Sequence, residues 1–416
     1  MNEAWTWRPL RELTIRGATW NPRADPRPSI RYIDVSAVSR DELRIVSEAT
    51  YSAGNAPSRA RKIVESGDTI FATVRPTLRR IAQIPESLDG EIVSTAFCVL
   101  RPDRHAIDAD FLYFATQLES VMEGIAAMES GASYPAVRDV DVLDQVVPLP
   151  PLPEQREIAA ALNTIRTASL HQAQCEANAT ALKRAAMREL FTHGLRGEAQ
   201  KETEIGPVPA SWELSTLGTL CESTDSVNLR SEADRVIKYV DVSSISRDYL
   251  CIETTPRFIL KEAPGRARKR ILTEDVIFAT VRPTLLRVAV VPDELDNQIC
   301  STAFCVLRRD SKISVHNFIY YVVQRDQFVQ QLAEIETGAS YPAVTDRMVK
   351  EQVVPVPSLE EQREIIAILD AIDRKIDLHR RKRAVLDDLF KTLLHKLMTG
   401  EIRVGDSASS SLVQLI

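Results

Sequence analysis

Four segments of the chain recur, each 207 residues after its first occurrence. RYIDVS at 31–36 returns as KYVDVS at 238–243, and ATVRPTL at 72–78 returns unchanged at 279–285. STAFCVLR at 94–101 and GASYPAV at 131–137 return unchanged at 301–308 and 338–344. A period of 207 residues is far longer than the roughly 20–50 residues of a solenoid repeat. The sequence therefore predicts a tandem duplication of one whole domain, with the two copies related by a pseudo-two-fold axis.

Composition places the chain among ordinary globular proteins. Its 416 residues are 44% hydrophobic, so each copy can bury a core. No apolar run approaches the roughly 18 residues that a membrane span needs. The six cysteines are scattered and form no C-x-x-C pair, which predicts buried free thiols in a reducing cytoplasm.

Each copy is expected to be a mixed α/β (α+β) domain. Residues 30–35, 69–74 and 92–100 are rich in β-branched and aromatic residues bounded by turn formers, which predicts strands. Residues 110–122 and 317–332 have helical spacing. The predicted division is a first domain at 1–150, a helical region at 151–200, a second domain at 201–357, a second helical region at 358–403 and a tail at 404–416.

The two helical regions share one heptad frame. The apolar seam of the second helix steps by four and three residues through Ile365, Leu369, Ile372, Ile376, His379, Arg383, Leu386, Phe390, Leu393 and Leu397. The same frame in the first helix has apolar ends and a polar middle. We expect the helices to pack as an antiparallel coiled coil, with a polar layer in which Gln172 and Glu176 lie near His379 and Arg383. The alternative is that each helix packs only on its own domain.

Charge is distributed unevenly. The net charge is −6, which by itself argues against nucleic acid as a ligand. Residues 56–80, however, hold six basic and two acidic residues, and their repeat at 263–287 holds the same numbers, so each stretch has a net charge of +4. The distribution therefore favours a DNA-binding loop region in each copy.

Fifteen residues of these stretches and of the GASYPAV segments are candidate DNA contacts: Arg59, Arg61, Lys62, Thr73, Arg75, Arg79, Arg80, Tyr134, Arg266, Arg268, Lys269, Thr280, Arg282, Arg287 and Tyr341. In the TVRPTLRR segment at 73–80 the proline is expected to end a strand and to aim a cationic turn outward. The Arg59–Lys62 stretch and its repeat suit phosphate contact better than base recognition. A solvated basic turn is the alternative for each arginine, and a packed turn is the alternative for the GASYPAV loop.

Catalytic signatures are missing from the sequence. It contains no G-x-x-x-x-G-K-[ST] phosphate loop, no G-x-G-x-x-G, no Asn-Pro-Pro-aromatic or Asp-Pro-Pro-aromatic tetrapeptide and no H-E-x-x-H. No two of the six histidines stand at metal-ligand spacing. An enzyme therefore fits poorly, and neither a metal nor a cofactor is expected in this chain.

The segments that lead into the two helices carry a resemblance. QVVPLPPLPEQRE at 145–157, QVVPVPSLEEQRE at 352–364 and VPASW at 208–212 resemble the specificity subunits of Type I restriction–modification systems, as does the order of domains and helices. The resemblance implies a non-catalytic subunit whose two target-recognition domains bind the two halves of a gapped double-stranded DNA site. It also implies two methyltransferase and two restriction–translocase subunits as partners, no membrane, and N6-adenine methylation. S-adenosylmethionine, ATP and Mg²⁺ would be bound by those partners.

Duplication adds an expectation about the DNA site. Similar domains around a two-fold axis predict half-sites close to an inverted repeat, with differences arising in residues 44–55 against 251–262. A helix over residues 155–191 would span about 55 Å, on the order of 16 base pairs. The alternatives are the specificity subunit of a Type IIB-like system, a coiled-coil adaptor for protein or RNA, and an enzyme with an unfamiliar site.

Overall fold

The computed structural model describes residues 5–131, 134–227, 232–338 and 341–404. Residues 132–133 and 339–340 of the two GASYPAV segments and residues 405–416 of the predicted tail lie outside the described residues. By their internal contacts the residues form two units, here called unit 1 (residues 1–175 and 378–416) and unit 2 (residues 176–377). Each unit thus contains one domain, one half of the first long helix and one half of the second.

The domain of unit 1 is built from two four-stranded sheets. The strands are β1 Thr6–Pro9, β2 Thr14–Ile15, β3 Ile30–Ile33, β4 Ala49–Tyr51, β5 Ala60–Ile63, β6 Thr69–Ala72, β7 Ile81–Gln83, β8 Ile92–Ser94, β9 Phe97–Pro102 and β10 Val146–Leu149. One sheet has the order β2-β9-β6-β7 and is antiparallel, and the other has the order β4-β3-β8-β5 with β3 and β8 parallel. Strands β1 and β10 form a separate antiparallel pair.

Alternation along β6 explains how the layers stack. Ile70 and Ala72 pack in a buried cluster with Ile33 and Val93 of the other sheet. Phe71 points to the opposite face, where it joins a cluster that includes residues of both long helices. Because successive side chains of a strand point to opposite faces, one fully buried strand contacts the second sheet and the helical layer at once.

Three short helices complete this domain: α1 Ala109–Ala115, α2 Glu119–Met128 and α3 Asp139–Leu143. The prediction of a single helix over 110–122 is wrong, because the helix is interrupted between α1 and α2. Thr116 Oγ1 and Gln117 Nε2 both donate to the carbonyl oxygen of Tyr113, at 2.7 and 3.0 Å. Leu118 then has the non-helical backbone angles φ −58° and ψ 140°, which separate the first helix from the second.

The domain of unit 2 repeats this topology. Its strands are β11 Gln200–Lys201, β12 Val208–Pro209, β13 Glu213–Thr216, β14 Cys221–Glu222, β15 Val236–Val240, β16 Arg257–Ile259, β17 Ala267–Ile271, β18 Val276–Ala279, β19 Val288–Val290, β20 Gln298–Ser301, β21 Phe304–Arg309 and β22 Val353–Val356. Its sheets have the orders β14-β21-β18-β19 and β16-β15-β20-β17, and its short helices are α5 Phe318–Val322, α6 Asp326–Ile335 and α7 Asp346–Lys350. The helix predicted over 317–332 is again split in two.

The single strand predicted over 92–100 is also wrong. It is two strands, β8 and β9, which belong to different sheets. At the turn between them, Thr95 N donates to the carbonyl oxygen of Arg59 and the carbonyl oxygen of Ala96 accepts from Thr73 N. The backbone thus exchanges partners from one sheet to the other within two residues. The strands predicted over 30–35 and 69–74 exist but end earlier, at Ile33 and Ala72.

The first long helix is α4 Leu152–His193 and the second is α8 Leu359–Met398, each about 60 Å long by the helical rise. In unit 1 Leu162 and Leu397 share one buried cluster, and the Oε1 atom of Gln172 lies 2.8 Å from Nδ1 of His379. Numbers rise along one helix as they fall along the other, so this pair is antiparallel.

In unit 2 the other halves pack in the same sense. Leu190 and Ile366 share a cluster there, and Lys183 Nζ lies 2.8 Å from Asp373 Oδ2. The predicted α+β class with paired antiparallel helices is therefore confirmed. The alternative in which each helix packs only on its own domain is wrong.

A buried glutamine attaches each helix to its domain. The Nε2 atom of Gln155 donates to the carbonyl oxygen of Pro150 at 2.8 Å, and its Oε1 atom accepts from Asp108 N at 2.8 Å. Gln362 makes the equivalent bonds to Pro357 and Val315. These are the glutamines of the two E-Q-R-E motifs, so that motif fixes the helix start against the domain.

None of the six cysteines forms a disulfide, but the expectation that they are buried holds for only three of them. Cys98, Cys300 and Cys305 are buried within strands, Cys175 and Cys221 are half-buried, and Cys251 is exposed. Cys251 stands at the position equivalent to Arg44, in the segment ahead of β16.

Candidate nucleic-acid interface

In unit 1 several loops meet along one end of the two sheets, which we call the rim. Four backbone hydrogen bonds connect them: Thr95 N to Arg59 O at 2.9 Å, Thr73 N to Ala96 O at 2.8 Å, Val137 N to Thr73 O at 2.9 Å and Arg75 N to Pro135 O at 2.7 Å. The rim therefore brings together the candidates Arg59, Thr73, Arg75 and Tyr134, although 75 residues separate the first from the last.

Unit 2 has an equivalent rim. The bonds are Thr302 N to Arg266 O at 2.8 Å, Thr280 N to Ala303 O at 2.8 Å, Val344 N to Thr280 O at 2.9 Å and Arg282 N to Pro342 O at 2.7 Å. Every donor and acceptor is offset by 207 residues from its counterpart in unit 1.

Each rim presents an arginine stacked on a tyrosine. The Cζ atom of Arg75 lies 5.1 Å from the ring centroid of Tyr134, and that of Arg282 lies 5.0 Å from the ring centroid of Tyr341. Both arginines are exposed, and the tyrosines are 71% and 72% exposed. Stacking orients a guanidinium, and an oriented guanidinium in solvent suits bidentate contact to a phosphate or to the O6 and N7 atoms of guanine.

Local backbone geometry holds this pair in place. Arg75 and Arg282 have left-handed φ values of 48° and 49°, so the backbone turns sharply just before the proline that follows. Gly131 has φ of +102°, and a Cβ atom there would stand 2.9 Å from the carbonyl oxygen of Tyr134. Only glycine closes this loop without displacing the tyrosine's backbone.

The rest of the TVRPTLRR turn is less exposed than expected. The prediction that its cations point outward is wrong for Arg80 and Arg287. The Nη1 atom of Arg80 donates to the carbonyl oxygens of Val35 and Val38. The Nη1 atom of Arg287 donates to the carbonyl oxygens of Val242 and Ile245, at 2.8 and 2.7 Å. These arginines hold a neighbouring turn rather than a ligand.

Two further pairs of candidate residues donate hydrogen bonds to backbone carbonyls of the rim. Thr73 and Thr280 are buried, and each hydroxyl donates at 2.9 Å to the carbonyl oxygen of Ala96 or Ala303. Lys62 and Lys269 are half-buried, and each donates at 2.6 Å to the carbonyl oxygen of Phe97 or Phe304. Each lysine also forms an ion pair, with Asp139 or Asp346.

The remaining candidates differ in exposure. Arg59 and Arg266 are exposed on their rims. Arg61 and Arg268 are half-buried, and each donates to the carbonyl oxygen of the residue before it, at 2.7 and 2.8 Å. Arg79 is half-buried and forms an ion pair with Glu119. Its counterpart in unit 2 is Leu286, so this cation is present in only one domain.

Sequence reasoning missed a cleft beside Arg59. The cleft has a volume of about 390 Å³, and Tyr32, Asp34, Glu48 and Tyr51 contribute to its lining. From the sequence, the segment 44–55 is distinguished only by its difference from residues 251–262. The sequence alone did not place it next to Arg59, because that neighbourhood depends on the parallel pairing of β3 with β8, which joins residues 60 positions apart.

The described residues contain no helix long and apolar enough to span a bilayer. They also contain no cluster of three or more His, Cys, Asp or Glu side chains arranged to hold a metal ion.

Comparisons with known proteins agree with a duplicated domain carried by paired helices. The family described as Type I restriction modification DNA specificity domain matches residues 25–177 and 209–388. Both copies and much of both long helices are thus covered. The chain belongs to this family of Type I restriction–modification specificity subunits.

Individual relatives have low sequence identity to this chain, but the matches cover most of its length. The chain is 25% identical over 342 residues to the Type I restriction enzyme MjaVIII specificity subunit of Methanocaldococcus jannaschii, covering 75% of each chain. A solved structure concerned with complex assembly and conformational transition of the type I R-M system is 26% identical, with a TM-score of 0.56 over 96% of this chain and 98% of that one. The Type-I restriction-modification S subunit from M. genitalium shares the fold, with a TM-score of 0.58 at 15% identity over 95% and 96% of the two chains.

Proposed function

We propose that this chain is the DNA sequence-specificity subunit of a Type I restriction–modification complex. Its two target-recognition domains bind the two halves of a gapped duplex site, and the half-sites are close to an inverted repeat. The observation that carries the proposal is the exposed arginine–tyrosine pair, which occurs once on each rim with almost the same geometry.

The exposure and hydrogen bonds of the candidate residues support different roles for them. We assign DNA contact to the exposed side chains Arg59, Arg75 and Tyr134, with their equivalents Arg266, Arg282 and Tyr341. Arg61, Arg79 and Arg268 are suited to phosphate contact at the edge of the rim. The remaining candidates support the rim or the turn beside it through their bonds to backbone carbonyls: Lys62, Thr73, Arg80, Lys269, Thr280 and Arg287.

Partner subunits are part of the proposed function. The chain is non-catalytic and docks two methyltransferase and two restriction–translocase subunits, which carry S-adenosylmethionine, ATP and Mg²⁺. The recognition domains occupy residues 1–150 and 201–357, and the complex works in the cytoplasm. With a net charge of −6 the isolated chain is expected to bind DNA weakly, so partners that enclose the duplex are part of the function.

Co-expression with the neighbouring methyltransferase subunit in a methylation-free host tests the proposal. N6-methyladenine is mapped by long-read sequencing. A gapped motif supports the function, and closely similar half-sites support the inverted repeat. Two unrelated half-sites would remove the inverted repeat while keeping the function. No motif, with both proteins expressed, would contradict the proposed function.

A further inference from the structure

The cleft beside Arg59 is continuous with the rim of unit 1. Arg59 belongs to both, since its carbonyl oxygen accepts a rim hydrogen bond and its side chain lines the cleft. Ser36 and Ala37, on the turn that the Arg80 guanidinium holds, line the cleft as well. A duplex placed against the arginine–tyrosine pair is therefore adjacent to this cleft.

Two carboxylates line the cleft, those of Asp34 and Glu48. Asp34 uses one oxygen to accept from Val35 N at 2.7 Å and so caps a turn of the fold. Glu48 is exposed and lines the same cleft. Phosphates repel carboxylates, so an acidic side chain on a DNA-facing surface is favourable where it accepts a hydrogen bond from the exocyclic amino group of a base.

The domain of unit 2 changes this cleft while preserving its backbone. Ile30 pairs with Tyr51 in unit 1, and Ile237 pairs with Phe258 in unit 2, so the strand register is the same. Asp34 and Arg59 are conserved between the copies as Asp241 and Arg266. Six other lining residues differ: Ala37 becomes Ser244, Ser47 becomes Thr254, Glu48 becomes Thr255, Ala49 becomes Pro256, Tyr51 becomes Phe258 and Ser58 becomes Gly265.

We propose that Glu48 determines base specificity in the first half-site, where its carboxylate accepts a hydrogen bond from the N4 amino group of a cytosine. This inference rests on the proposed function. Cytosine is favoured over adenine because adenine places its N7 acceptor beside the N6 amino group, where the second carboxylate oxygen is repelled. Thr255 has no charge at the equivalent position, so the half-sites differ at this base pair.

Substitution of Glu48 tests the inference in the complete methyltransferase complex. Glu48→Gln keeps the shape of the side chain and adds an amide donor, which pairs with the N6 and N7 atoms of adenine. We expect one position of the first half-site to change its preference from cytosine to adenine, by about tenfold. Glu48→Thr is expected to make that position resemble its counterpart in the second half-site, and Thr255→Glu to introduce cytosine there.

The control is Glu86→Gln, at an exposed glutamate beyond β7, at the end of the sheet away from the rim. It should leave the motif unchanged. A motif from the unsubstituted protein that is unaltered in all three cleft variants refutes the role of Glu48 and leaves the proposed function intact. Loss of methylation at both half-sites without a change in motif also refutes it. If the unsubstituted protein yields no motif, the proposed function fails and this inference with it.

Discussion

Lys183 lies over the ring of Tyr321, with its Nζ atom 5.1 Å from the ring centroid. At the equivalent positions in unit 1, two phenylalanine rings pack against each other. The equivalent residues are Phe390 and Phe114, whose ring centroids are 5.8 Å apart. Both members of the pair differ between the units, apolar in unit 1 and polar in unit 2. A lysine placed against Phe114 would lose its partners, so the two helix-to-domain contacts are chemically distinct despite their common origin.

Loss of Lys183 should destabilise unit 2. Lys183 Nζ binds Asp373, and the Tyr321 hydroxyl donates to the same carboxylate at 2.7 Å. We expect Lys183→Ala to lower the free energy of unfolding by about 1–3 kcal/mol, because it leaves a partly buried carboxylate with fewer partners. Chemical denaturation measures the change, and Lys391→Ala, at an exposed lysine of α8, is the control.

A double-mutant cycle separates the ion pair from general packing. Asp373→Ala should cost less in the Lys183→Ala background than in the unsubstituted protein, by about 0.5–3 kcal/mol. Strictly additive effects would contradict the interpretation of this pair as a coupled polar contact.

Removal of the rim arginines should affect one half-site each. Arg75→Ala is expected to weaken binding of the first half-site and Arg282→Ala that of the second. A lost base contact costs about 1–3 kcal/mol and relaxes specificity, whereas a lost phosphate contact weakens all sequences and reduces the salt dependence. Binding of the assembled complex to labelled duplexes is measured across a salt series.

Arg104→Ala is the matched control for these variants. Arg104 is also exposed, but it donates to the carbonyl oxygen of Ser66, on the turn between β5 and β6 at the other end of the sheets. An effect of Arg104→Ala as large as that of Arg75→Ala would mean that net charge, rather than the rim, determines binding.

The buried ion pair of each domain should be essential to its stability. Asp68 is 1% exposed and bonds to the Nε and Nη2 atoms of Arg101, and Asp275 and Arg308 repeat the arrangement. The pKa of the Arg101 guanidinium is raised: burial lowers it, but the hydrogen bond and charge of Asp68 outweigh that effect. Asp68→Ala removes the buried partner of this cation and leaves it only the exposed carboxylate of Glu65, so it should cost about 3–5 kcal/mol, measured by urea unfolding. The Asp68→Leu, Arg101→Met double variant should be more stable than Asp68→Ala; equal loss would contradict the charge argument.

Thiol reactivity should follow burial. Burial raises the pKa of the Cys98 and Cys305 thiols to about 12. The reactive thiolate of these residues therefore appears only near pH 12, and at pH 8 both remain neutral. We expect iodoacetamide at pH 8 to label the exposed Cys251 first, as located by mass spectrometry, and to label all six cysteines in urea. Equal labelling of Cys98 in the folded protein would show that its strand opens.

The duplicated domains and the helices with a heptad pattern could be predicted from the sequence. The constant offset of 207 residues identified the duplicated domain, and the heptad seam located α8 and the contact between Gln172 and His379. Contacts between a side chain and a distant carbonyl left no such pattern. Arg80 looked like any surface arginine, and only the folded chain brings Val35 to it across 45 residues.

Breaks within regular elements were also invisible. Residues 92–100 are uniformly apolar or small, so nothing in them marks the point where the backbone leaves one sheet for the other. Likewise, Thr116 and Gln117 end α1 by bonding to a carbonyl one turn back, which either residue type can do without altering the helical spacing around it.

The rim is held by hydrogen bonds between backbone groups, which any residue except proline can supply in full. The exposed side chains of Arg59, Arg75 and Tyr134 take no part in those bonds, so they can be exchanged without loosening the loops that carry them. Under the proposed function, a single substitution at one of these positions would give such a domain a new DNA target while its folding is unaffected. The two domains on one chain could then change independently, so a modest number of substitutions would generate a large repertoire of bipartite sites from one ancestral scaffold.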